Sequence, residues 1–484
     1  MTKPILILLI IITPIFVYSQ DCSCEDNYLW VKKTFEENDA GFDYAIGQKG
    51  IQAYEKHNEV ILKKVRSIGN SLECTKTLYE WLTFFRSGHI GIRRISDEGI
   101  KTNNSKISDN DIIKKFENWD RVDIDLTEFK KYLLKTKSDY EGIWESPPYK
   151  IGIKKQGEAY IGFIIEADGI FWREGQVKLR IFRNDDEITA TYYMQDHSAQ
   201  EFKNVEVIGN NYLQMGWITL KRIYPEMEID KNIANYYKLM KAEKPFIQKL
   251  TDNTLILRIP SFSYSEKKII DSTLKVNTNL ISSTENLIID LRNNPGGDDA
   301  SYMGILPYIY TNSIRTVGAE LLSTPLNNKR MKDFIANPDY SDEVKKWAKE
   351  GLVKLNKNLG KFVNLDSTIV SITKMDSVYK YPKNVGIIIN ENNGSTTEQF
   401  LLAAKQSKKV KLFGTTTMGV LDISNIYFVN SPCNEFQLGY SLSRSMRIPE
   451  MAIDDKGIQP DYYIDKSIPK YKWVEFVTNA LNEK

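Results

Sequence analysis

Apolar residues recur at helical spacing through the first part of the chain. Between residues 27 and 86 they lie three or four positions apart, as in Val31 and Phe35. Such spacing places apolar side chains on one face of a helix. The pattern predicts a small N-terminal helical bundle, followed by further helices near 111–116 and 126–136.

The spacing of apolar residues changes to alternation at Gly142. Short alternating runs bounded by turn residues lie at 149–153, 159–165, 177–182, 188–193, 205–208 and 217–223. A period of two is typical of half-buried strands, so this block predicts an antiparallel sheet or a small barrel. Its Gly142-Ile143-Trp144 opening is similar to that of small lipocalin-like barrels.

Strands and helices alternate in the last part of the chain. A charged segment at 230–249 predicts a helical linker before this part begins. The predicted strands are 254–260, 286–292, 384–390 and 410–413, and the predicted helices are 266–278 and 396–407. This alternation is typical of an α/β core. Residues 328–360, rich in Lys and Asp at helical spacing, predict an inserted lid or cap.

The first twenty residues have the pattern of a secretory signal. Lys3 supplies a positive start, residues 5–17 are apolar, and Val17-Tyr18-Ser19 offers a cleavage site. A bilayer core needs about 20 apolar residues, so this run is too short to span it. We predict a cleaved signal peptide at 1–19 and an exported protein, periplasmic or extracellular, with no stable membrane span. A retained N-terminal anchor is the alternative.

Charge and cysteine content narrow the function classes. The 484 residues include 65 Lys+Arg and 63 Asp+Glu, a net charge of +2. This balance argues against nucleic acid as a partner, because phosphate binding needs a basic surface. The cysteines are Cys22, Cys24, Cys74 and Cys433, and we expect one disulfide from the mature N-terminus to Cys74. No cysteine pair has zinc-site spacing, and no metal or organic cofactor is expected.

A serine stands where a predicted strand passes into a helix. The turn Asn392-Asn393-Gly394 is followed directly by Ser395, and Glu398 comes three residues later. This spacing is that of a capping box, which predicts that the Ser395 side chain caps the helix. A serine at a helix N-terminus is also well placed as a nucleophile, because backbone N–H groups there stabilise negative charge. The two roles are compatible.

A glycine-rich turn follows the strand at 286–292. Its sequence, Asn293-Asn-Pro-Gly-Gly297, allows positive φ angles and a close approach of the backbone to another group. One interpretation is a plain turn with Asp290 and Arg292 paired at the strand end. The other is that the Gly-Gly backbone donates hydrogen bonds to an oxyanion.

Only three histidines are present, so any chemistry that needs an imidazole has few candidates. His57 lies among charged residues of a predicted helix, and His197 belongs to the β block. His89 stands between two glycines, after a helix and before a strand. By elimination His89 is the best candidate for a general base.

Four motifs in this order resemble those of the S41 peptidases, the C-terminal processing and tricorn-type core proteases. They are the run from Leu287 to Gly297, Gly-Ser-Thr-Thr-Glu at 394–398, Phe-Gly-Thr-Thr-Thr-Met-Gly at 413–419, and Lys-Gly-Ile-Gln-Pro-Asp at 456–461. The resemblance covers about 246–465 and implies a crotonase/Clp-protease-like ββα core. It also implies Ser395 as nucleophile and an oxyanion hole from the N–H groups of Gly297 and Thr396. No PDZ domain is recognised.

The chain departs from part of that family at one position. The processing proteases carry a lysine directly after the glycine that is Gly419 here, and this chain has Val420. The tricorn-like branch instead has an early histidine, which implies His89 as the base. It also has an acid before the closing motif, here Asp454, which would orient the imidazole. Asp455 is the alternative acid, and Ser87 is a candidate for the serine that adjoins the histidine in that branch.

The sequence therefore predicts a multidomain α/β serine peptidase that acts on a peptide or protein. The expected segments are a signal peptide at 1–19, a helical domain carrying His89 at 20–140, a β-barrel-like domain at 141–225, and an S41-like catalytic core at 226–484. One alternative is a catalytically inactive S41-like protein that binds peptides or other ligands. Acyl-CoA chemistry on the same superfold is a third, which would leave Ser395 and His89 without a clear role.

Overall fold

A computed structural model describes residues 22–95, 108–136, 138–184 and 187–483. The predicted signal peptide at 1–19 lies outside the described residues. The described part forms a multidomain α/β structure. In that part, no helix has the length and apolar character that crossing a membrane requires.

The α-helices are α1 Cys24–Asn38, α2 Phe42–Lys49, α3 Ile51–Val65, α4 Ser71–Thr83, α5 Asp109–Lys115, α6 Leu126–Leu133, α7 Lys231–Met240, α8 Lys267–Val276, α9 Thr278–Ile281, α10 Leu306–Ile309, α11 Lys329–Ala336, α12 Asp342–Asn356, α13 Thr396–Ala404 and α14 Trp473–Asn482.

The strands are β1 Gly91–Arg94, β2 Gly142–Ser146, β3 Tyr149–Gln156, β4 Ala159–Glu166, β5 Val177–Asn184, β6 Glu187–Tyr193, β7 Ala199–Lys203, β8 Val205–Ile208, β9 Tyr212–Met215, β10 Ile218–Tyr224, β11 Phe246–Thr251, β12 Thr254–Arg258, β13 Asn286–Asp290, β14 Ile314–Val317, β15 Ala319–Leu322, β16 Phe362–Val363, β17 Val370–Thr373, β18 Asn384–Ile389, β19 Val410–Gly414, β20 Ile423–Asn430, β21 Phe436–Ser445 and β22 Tyr462–Tyr463.

The chain divides into two compact units. The first combines the described residues up to 95 with Lys244–Ile464, and the second combines residues 108–243 with 465–483. This grouping differs from the predicted domains. It puts the N-terminal helices and the α/β core in one unit, and it separates residues 465–483 from that core.

A six-stranded sheet forms the centre of the first unit, in the order β11-β12-β13-β18-β19-β22. Only the β11–β12 pair is antiparallel. The central strands β12 and β13 are buried at every position, as expected for a parallel sheet covered on both faces. Because parallel strands end at the same edge, the loops after β13 and β18 meet there. The predicted helical linker at 230–249 is only partly helical. Its first part forms α7, but its last residues belong to strand β11.

The predicted N-terminal helices form as α1 to α4, but they do not enclose a core of their own. Their buried side chains pack against alternate residues of β21, which are Phe436, Leu438, Tyr440 and Leu442. β21 lies in a five-stranded sheet with β1, β15, β16 and β20. The predicted bridge to Cys74 is present from Cys24, and Cys22 pairs with Cys433 of the loop between β20 and β21. Packing against β21 and the Cys22–Cys433 disulfide therefore join the N-terminal segment to the rest of the first unit.

The second unit contains a nearly closed, barrel-like sheet of nine strands. Its order is β7-β6-β5-β4-β3-β2-β10-β9-β8, and every neighbouring pair is antiparallel. The alternating runs in the sequence predicted six of these strands, while β2, β7 and β9 are additional. The predicted helical insertion at 328–360 is present in the first unit as α11 and α12, which pack on each other around Met331, Ala348 and Leu355.

Candidate active site

Ser395 lies at the turn between β18 and α13 in a strained backbone conformation. Its φ is +54° and its ψ is −124°, a region that residues with a Cβ seldom occupy and that costs about 1–3 kcal/mol. The predicted capping box is absent, because the Ser395 side chain makes no capping hydrogen bond to α13. The hydroxyl is thus free of the role that the sequence favoured for it.

His89 faces that hydroxyl. The distance from His89 Nε2 to Ser395 Oγ is 3.1 Å, and the distance from His89 Nδ1 to the carbonyl oxygen of Ile423 is 2.8 Å. A carbonyl oxygen can only accept, so in the neutral ring Nδ1 carries the proton and Nε2 is left as an acceptor for the serine O–H. The two groups that the sequence separates by 306 residues therefore meet in hydrogen-bonding geometry.

Desolvation keeps this imidazole neutral. Burial lowers the pKa of His89 to about 4, the Ile423 carbonyl opposes that shift, and the positive charge of Arg86 adds to it. Around neutral pH the ring can accept a proton but holds none on Nε2. This is the protonation state that a general base needs.

A buried ion pair holds the loop that carries His89. Arg86 donates from Nε to the carbonyl oxygen of Gly88 at 3.0 Å and from Nη2 to that of His89 at 3.2 Å. Asp39 of the turn after α1 accepts two hydrogen bonds from the same guanidinium, at 2.8 and 2.6 Å. Ser441 Oγ also donates to the His89 carbonyl. The backbone of His89 is thereby fixed from both the helical and the sheet side.

The predicted contact between Asp454 and His89 is wrong. The Asp454 carboxylate accepts from the N–H groups of Leu421, Asp422 and Ile423 at 2.5, 2.6 and 3.1 Å. Among the hydrogen bonds of the described residues, none joins Asp454 to His89. The acid instead holds the backbone on either side of the carbonyl that His89 contacts. The sequence alone does not show whether the Asp454 carboxylate contacts the His89 imidazole or the backbone next to it.

The two alternative residues near His89 also lie away from the imidazole. Ser87 Oγ donates to Asp455 Oδ1 at 3.0 Å, and the Ser87 side chain is exposed. Neither residue forms a hydrogen bond with His89 within the described chain. Ser87 and Asp455 therefore join two loops at the rim of the site.

The Gly296–Gly297 turn approaches Ser395 very closely. A Cβ on Gly296 would lie 2.9 Å from both the Cβ of Ser395 and the backbone nitrogen of Thr396. A Cβ on Gly297, whose φ is +150°, would lie 2.2 Å from the carbonyl carbon of Phe262. Both positions therefore exclude any residue with a side chain.

Two backbone N–H groups beside Ser395 are available as donors. Gly297 and Phe262 form a parallel β-bridge, but the hydrogen bonds of this bridge come from the residues on either side of Gly297. The Phe262 N–H donates to the Gly296 carbonyl, and the Asp298 N–H donates to the Phe262 carbonyl. The N–H of Gly297 thus faces away from that pairing. Neither it nor the N–H of Thr396, in the first turn of α13, donates a hydrogen bond to any described residue. This is the arrangement that an oxyanion hole requires.

An asparagine network joins the two loops that meet here. Asn393 Nδ2 donates to the carbonyl oxygens of Leu291 and Asn294, at 2.5 and 3.1 Å. Asn294 Oδ1 in turn accepts from Thr397 Oγ1 and from the N–H of Gly296. Asn393 and Asn294 are fully buried. The loop after β13 and the start of α13 are consequently held as one unit.

Val420 occupies the position between the histidine loop and the serine loop. A Cβ on Gly88 would lie 2.2 Å from Val420 Cγ1, and a Cβ on Gly394 would lie 2.6 Å from Val420 Cγ2. The Val420 carbonyl accepts from the N–H of Ser395 at 3.1 Å. Sequence analysis identified Val420 only as a missing lysine. The structure gives it a positive role, since it packs where the two loops come together.

Glu398, the predicted capping residue, supports Val420 instead of the helix start. Its buried carboxylate accepts from Thr417 Oγ1 and from the N–H groups of Gly419 and Val420, at 2.6, 2.7 and 2.9 Å. Desolvation raises the pKa of Glu398, and these three hydrogen bonds oppose the shift. The apolar run Phe400-Leu-Leu-Ala-Ala404, which follows Glu398 closely, indicates that this part of α13 is buried. The capping-box interpretation did not take this run into account.

Asp299 is a further group at this site that sequence analysis did not single out. It follows Gly297 by two residues, and its carboxyl hydrogen-bonds the Thr396 side chain. Desolvation by the surrounding protein raises the pKa of Asp299 to about 6, while the hydrogen bond with Thr396 and the positive charge of Arg447 oppose that shift. The pairing of Asp290 with Arg292, which the plain-turn interpretation included, is present through two hydrogen bonds from the guanidinium to the carboxylate. In the described part of the chain, no cluster of His, Cys, Asp and Glu could hold a metal ion.

Comparison with known proteins gives a family model and a set of similar structures. Residues 253–464 match the model of Peptidase family S41. Mature CPAF is similar to this chain with a TM-score of 0.51 and 12% identity over 95% of this chain and 96% of that one. At this identity the similarity is one of fold.

Two further structures have lower TM-scores. The photosystem II D1 C-terminal processing protease has a TM-score of 0.39 and 11% identity, covering 96% of this chain and 98% of that one. The tricorn protease has a TM-score of 0.41 and 12% identity, covering 95% of this chain and 36% of that one. No curated protein matches the chain.

Proposed function

Because residues 253–464 belong to peptidase family S41, as the sequence motifs predicted, we propose that the protein is an exported serine peptidase that forms an acyl-enzyme on Ser395. The observation that carries the proposal is the 3.1 Å contact between His89 Nε2 and Ser395 Oγ, with Nδ1 occupied by a backbone carbonyl. A binding protein has no need for a bare imidazole nitrogen opposite a strained serine.

The chemistry begins with proton transfer. Ser395 Oγ attacks the scissile carbonyl while its proton passes to His89 Nε2, and the N–H groups of Gly297 and Thr396 donate to the developing oxyanion. The intermediate collapses when the imidazolium returns the proton to the leaving amine, and the acyl group stays on Ser395. A water molecule, deprotonated by His89, then releases the acyl group as a carboxylic acid.

The imidazolium in this scheme is stabilised differently from that of a Ser-His-Asp triad. The Ile423 carbonyl is a dipole and carries no full charge, so it stabilises a positive ring less than a carboxylate would. Asp454 is a positioning residue in this proposal, because its three backbone contacts keep the Ile423 segment in place.

The remaining elements of the proposal concern fold and compartment. The parallel strands with helices on the sheet are consistent with a crotonase/Clp-protease-like core, which stays an expectation. Export is supported by the disulfides Cys22–Cys433 and Cys24–Cys74, since disulfides persist in oxidising compartments. The substrate class, peptides or proteins, follows from the family.

Labelling with a fluorescent fluorophosphonate tests the mechanism, because the probe reacts only with an activated serine. Ser395→Ala should abolish labelling, and His89→Ala should slow it by at least about 10³-fold, as losses within a catalytic unit do. Ser87→Ala is the matched control, since it removes an exposed hydroxyl two residues from His89. Equal labelling of wild type and His89→Ala would refute the assigned base, and labelling of Ser395→Ala would refute the nucleophile.

A further inference from the structure

Four aromatic side chains form a row that leads away from the Gly297 loop. We call Tyr264, Tyr340, Phe334 and Trp347 the aromatic row. Successive ring centroids lie 5.7, 5.1 and 6.0 Å apart, from Tyr264 through Tyr340 and Phe334 to Trp347. The two ends are open to solvent, since Tyr264 is 47% exposed and Trp347 is 41% exposed.

The row begins beside the oxyanion donors. Tyr264 follows Phe262 by two residues, and the backbone of Phe262 brackets Gly297 from both sides. The other three rings belong to the helical insertion, where Phe334 lies on α11, Tyr340 in the loop, and Trp347 on α12.

The helical insertion is held firmly enough to present a surface. Its helices share a small core, and Asp333 of α11 accepts from Tyr427 Oη at 2.9 Å. The helical insertion therefore presents its aromatic rings in fixed positions next to the site.

Partly exposed aromatic rings in contact with one another are a feature of binding surfaces. Tyr and Trp are enriched at interface centres because they offer a large rigid area at little cost in side-chain entropy. The ring-to-ring steps limit the length of the row to about 17 Å, which an extended chain covers with about five residues. The row thus matches a short extended segment in length.

We propose that the aromatic row binds bulky apolar side chains of an extended polypeptide whose neighbouring peptide bond lies at Ser395. This inference rests on the proposed function for the identity of the occupant. The continuity of the row with the Gly297 turn selects a polypeptide chain over a small molecule, because the row extends well beyond one side chain from the proposed scissile bond. The protein would then favour unfolded or loosely folded segments rich in aromatic and large aliphatic residues.

Binding measured without cleavage separates this inference from the proposed function. In the Ser395→Ala background, fluorescence anisotropy would follow binding to labelled α-lactalbumin that has been reduced and carboxymethylated and so stays unfolded. Tyr340→Ala and Trp347→Ala should each weaken binding about tenfold, the size of effect expected for an aromatic anchor. Trp217→Ala is the matched control, because Trp217 is 68% exposed in the second unit and lies outside the row. Gelatin, which is poor in large apolar residues, should bind weakly to every variant.

Each outcome has one meaning. Unchanged affinity in both row variants, with unchanged thermal unfolding, would overturn the inference. A change in oligomeric state on size-exclusion chromatography would assign the row to self-association and also overturn it. Failure of the wild type to react with a fluorophosphonate would count against the proposed function alone, because the binding assay does not depend on catalysis.

Discussion

His89 in the first unit and His197 in the second share their backbone conformation, one hydrogen bond of the ring and the direction of their pKa shift. Both have a positive φ, +51° and +65°, and both have one ring nitrogen on a backbone carbonyl, at 2.8 and 2.7 Å. Desolvation is the main cause that lowers the pKa of each ring. A positive φ, a hydrogen bond to a backbone carbonyl and a lowered pKa therefore do not distinguish a candidate base from a structural histidine.

The second ring nitrogen makes the difference. His89 Nε2 faces the hydroxyl of Ser395, while His197 Nδ1 has no hydrogen-bond partner among the described residues. The His197 ring is stacked between Phe116 and Trp172, with centroids 3.8 Å from each. One histidine is packed against a reactive group and the other against apolar surfaces. Changes at each site should therefore affect different properties, activity in one case and stability in the other.

Gly88→Ala should have the largest effect, because it disturbs the contact that brings His89 to Ser395. The new Cβ would lie 2.2 Å from Val420 Cγ1, and hydrogen bonds to Glu398 and Ser395 fix the Val420 backbone. The histidine loop must then move away from the serine. We expect the rate of fluorophosphonate labelling to fall at least about 10²-fold, since small displacements of a catalytic group have effects of this size.

Two variants control for loss of stability at this loop. Gly91→Ala lies on the other side of His89, where a Cβ meets nothing within 4 Å, and it should retain the wild-type rate. Gly88→Ala with Val420→Gly should recover part of the rate, because all three nearest atoms to the new Cβ belong to the Val420 side chain. Lack of recovery in this double variant, with the fold intact, would show that the Val420 contact is not the cause.

The pH dependence of labelling should reveal the lowered pKa of His89. A base must be unprotonated to act, so a ring with a pKa of about 4 should keep the labelling rate independent of His89 ionisation down to about pH 5. Below pH 4 the rate should fall about tenfold per pH unit. An ordinary histidine would instead begin to lose activity near pH 6.5. A midpoint near 6.5, in protein that circular dichroism shows to be folded, would mean that water reaches the ring freely.

Sequence patterns predicted most of the fold because local periodicity reports burial on one face. The α/β alternation, helices α1 to α4 and most strands of the nine-stranded sheet follow from that signal alone. Local periodicity does not show which distant element packs against the buried face of a helix or strand. The N-terminal helices were predicted to pack on one another, but they also cover β21, about 350 residues away in the sequence.

The site shows the same limit at the level of side chains. Ser395 and the glycine turn could be predicted as site residues because they lie in short motifs that resemble those of S41 peptidases, and His89 because the chain has only three histidines. The partners of Glu398 and Asp454 could not be identified, because each carboxylate accepts backbone N–H groups from the segment at 419–423. Every residue except proline has a backbone N–H group, so the sequence does not show which of these groups will donate to a given carboxylate.

His197→Phe should have a smaller effect, on stability, and tests the other half of the comparison. The unfolded chain takes up a proton at His197 below about pH 6.5, whereas the folded ring, with its lowered pKa, resists doing so. Wild-type stability therefore falls as the pH drops below 6.5, because at this group the unfolded chain binds the proton more readily than the folded chain. Phenylalanine does not titrate and fits between Phe116 and Trp172, so the variant should lose this part of the pH dependence.

Urea unfolding at about pH 7.5 and about pH 5.5 measures that difference directly. At pH 7.5 the loss of the hydrogen bond to Phe171 and the removal of the unpartnered Nδ1 should offset each other to within about 1 kcal/mol. Trp217→Phe, an exposed aromatic change in the same unit, should keep the wild-type pH dependence. An identical pH dependence in His197→Phe and wild type would mean that the stacked ring accepts its proton in the folded state. In that case burial between aromatic rings would not suppress ionisation, and a lowered pKa would also distinguish His89 from His197.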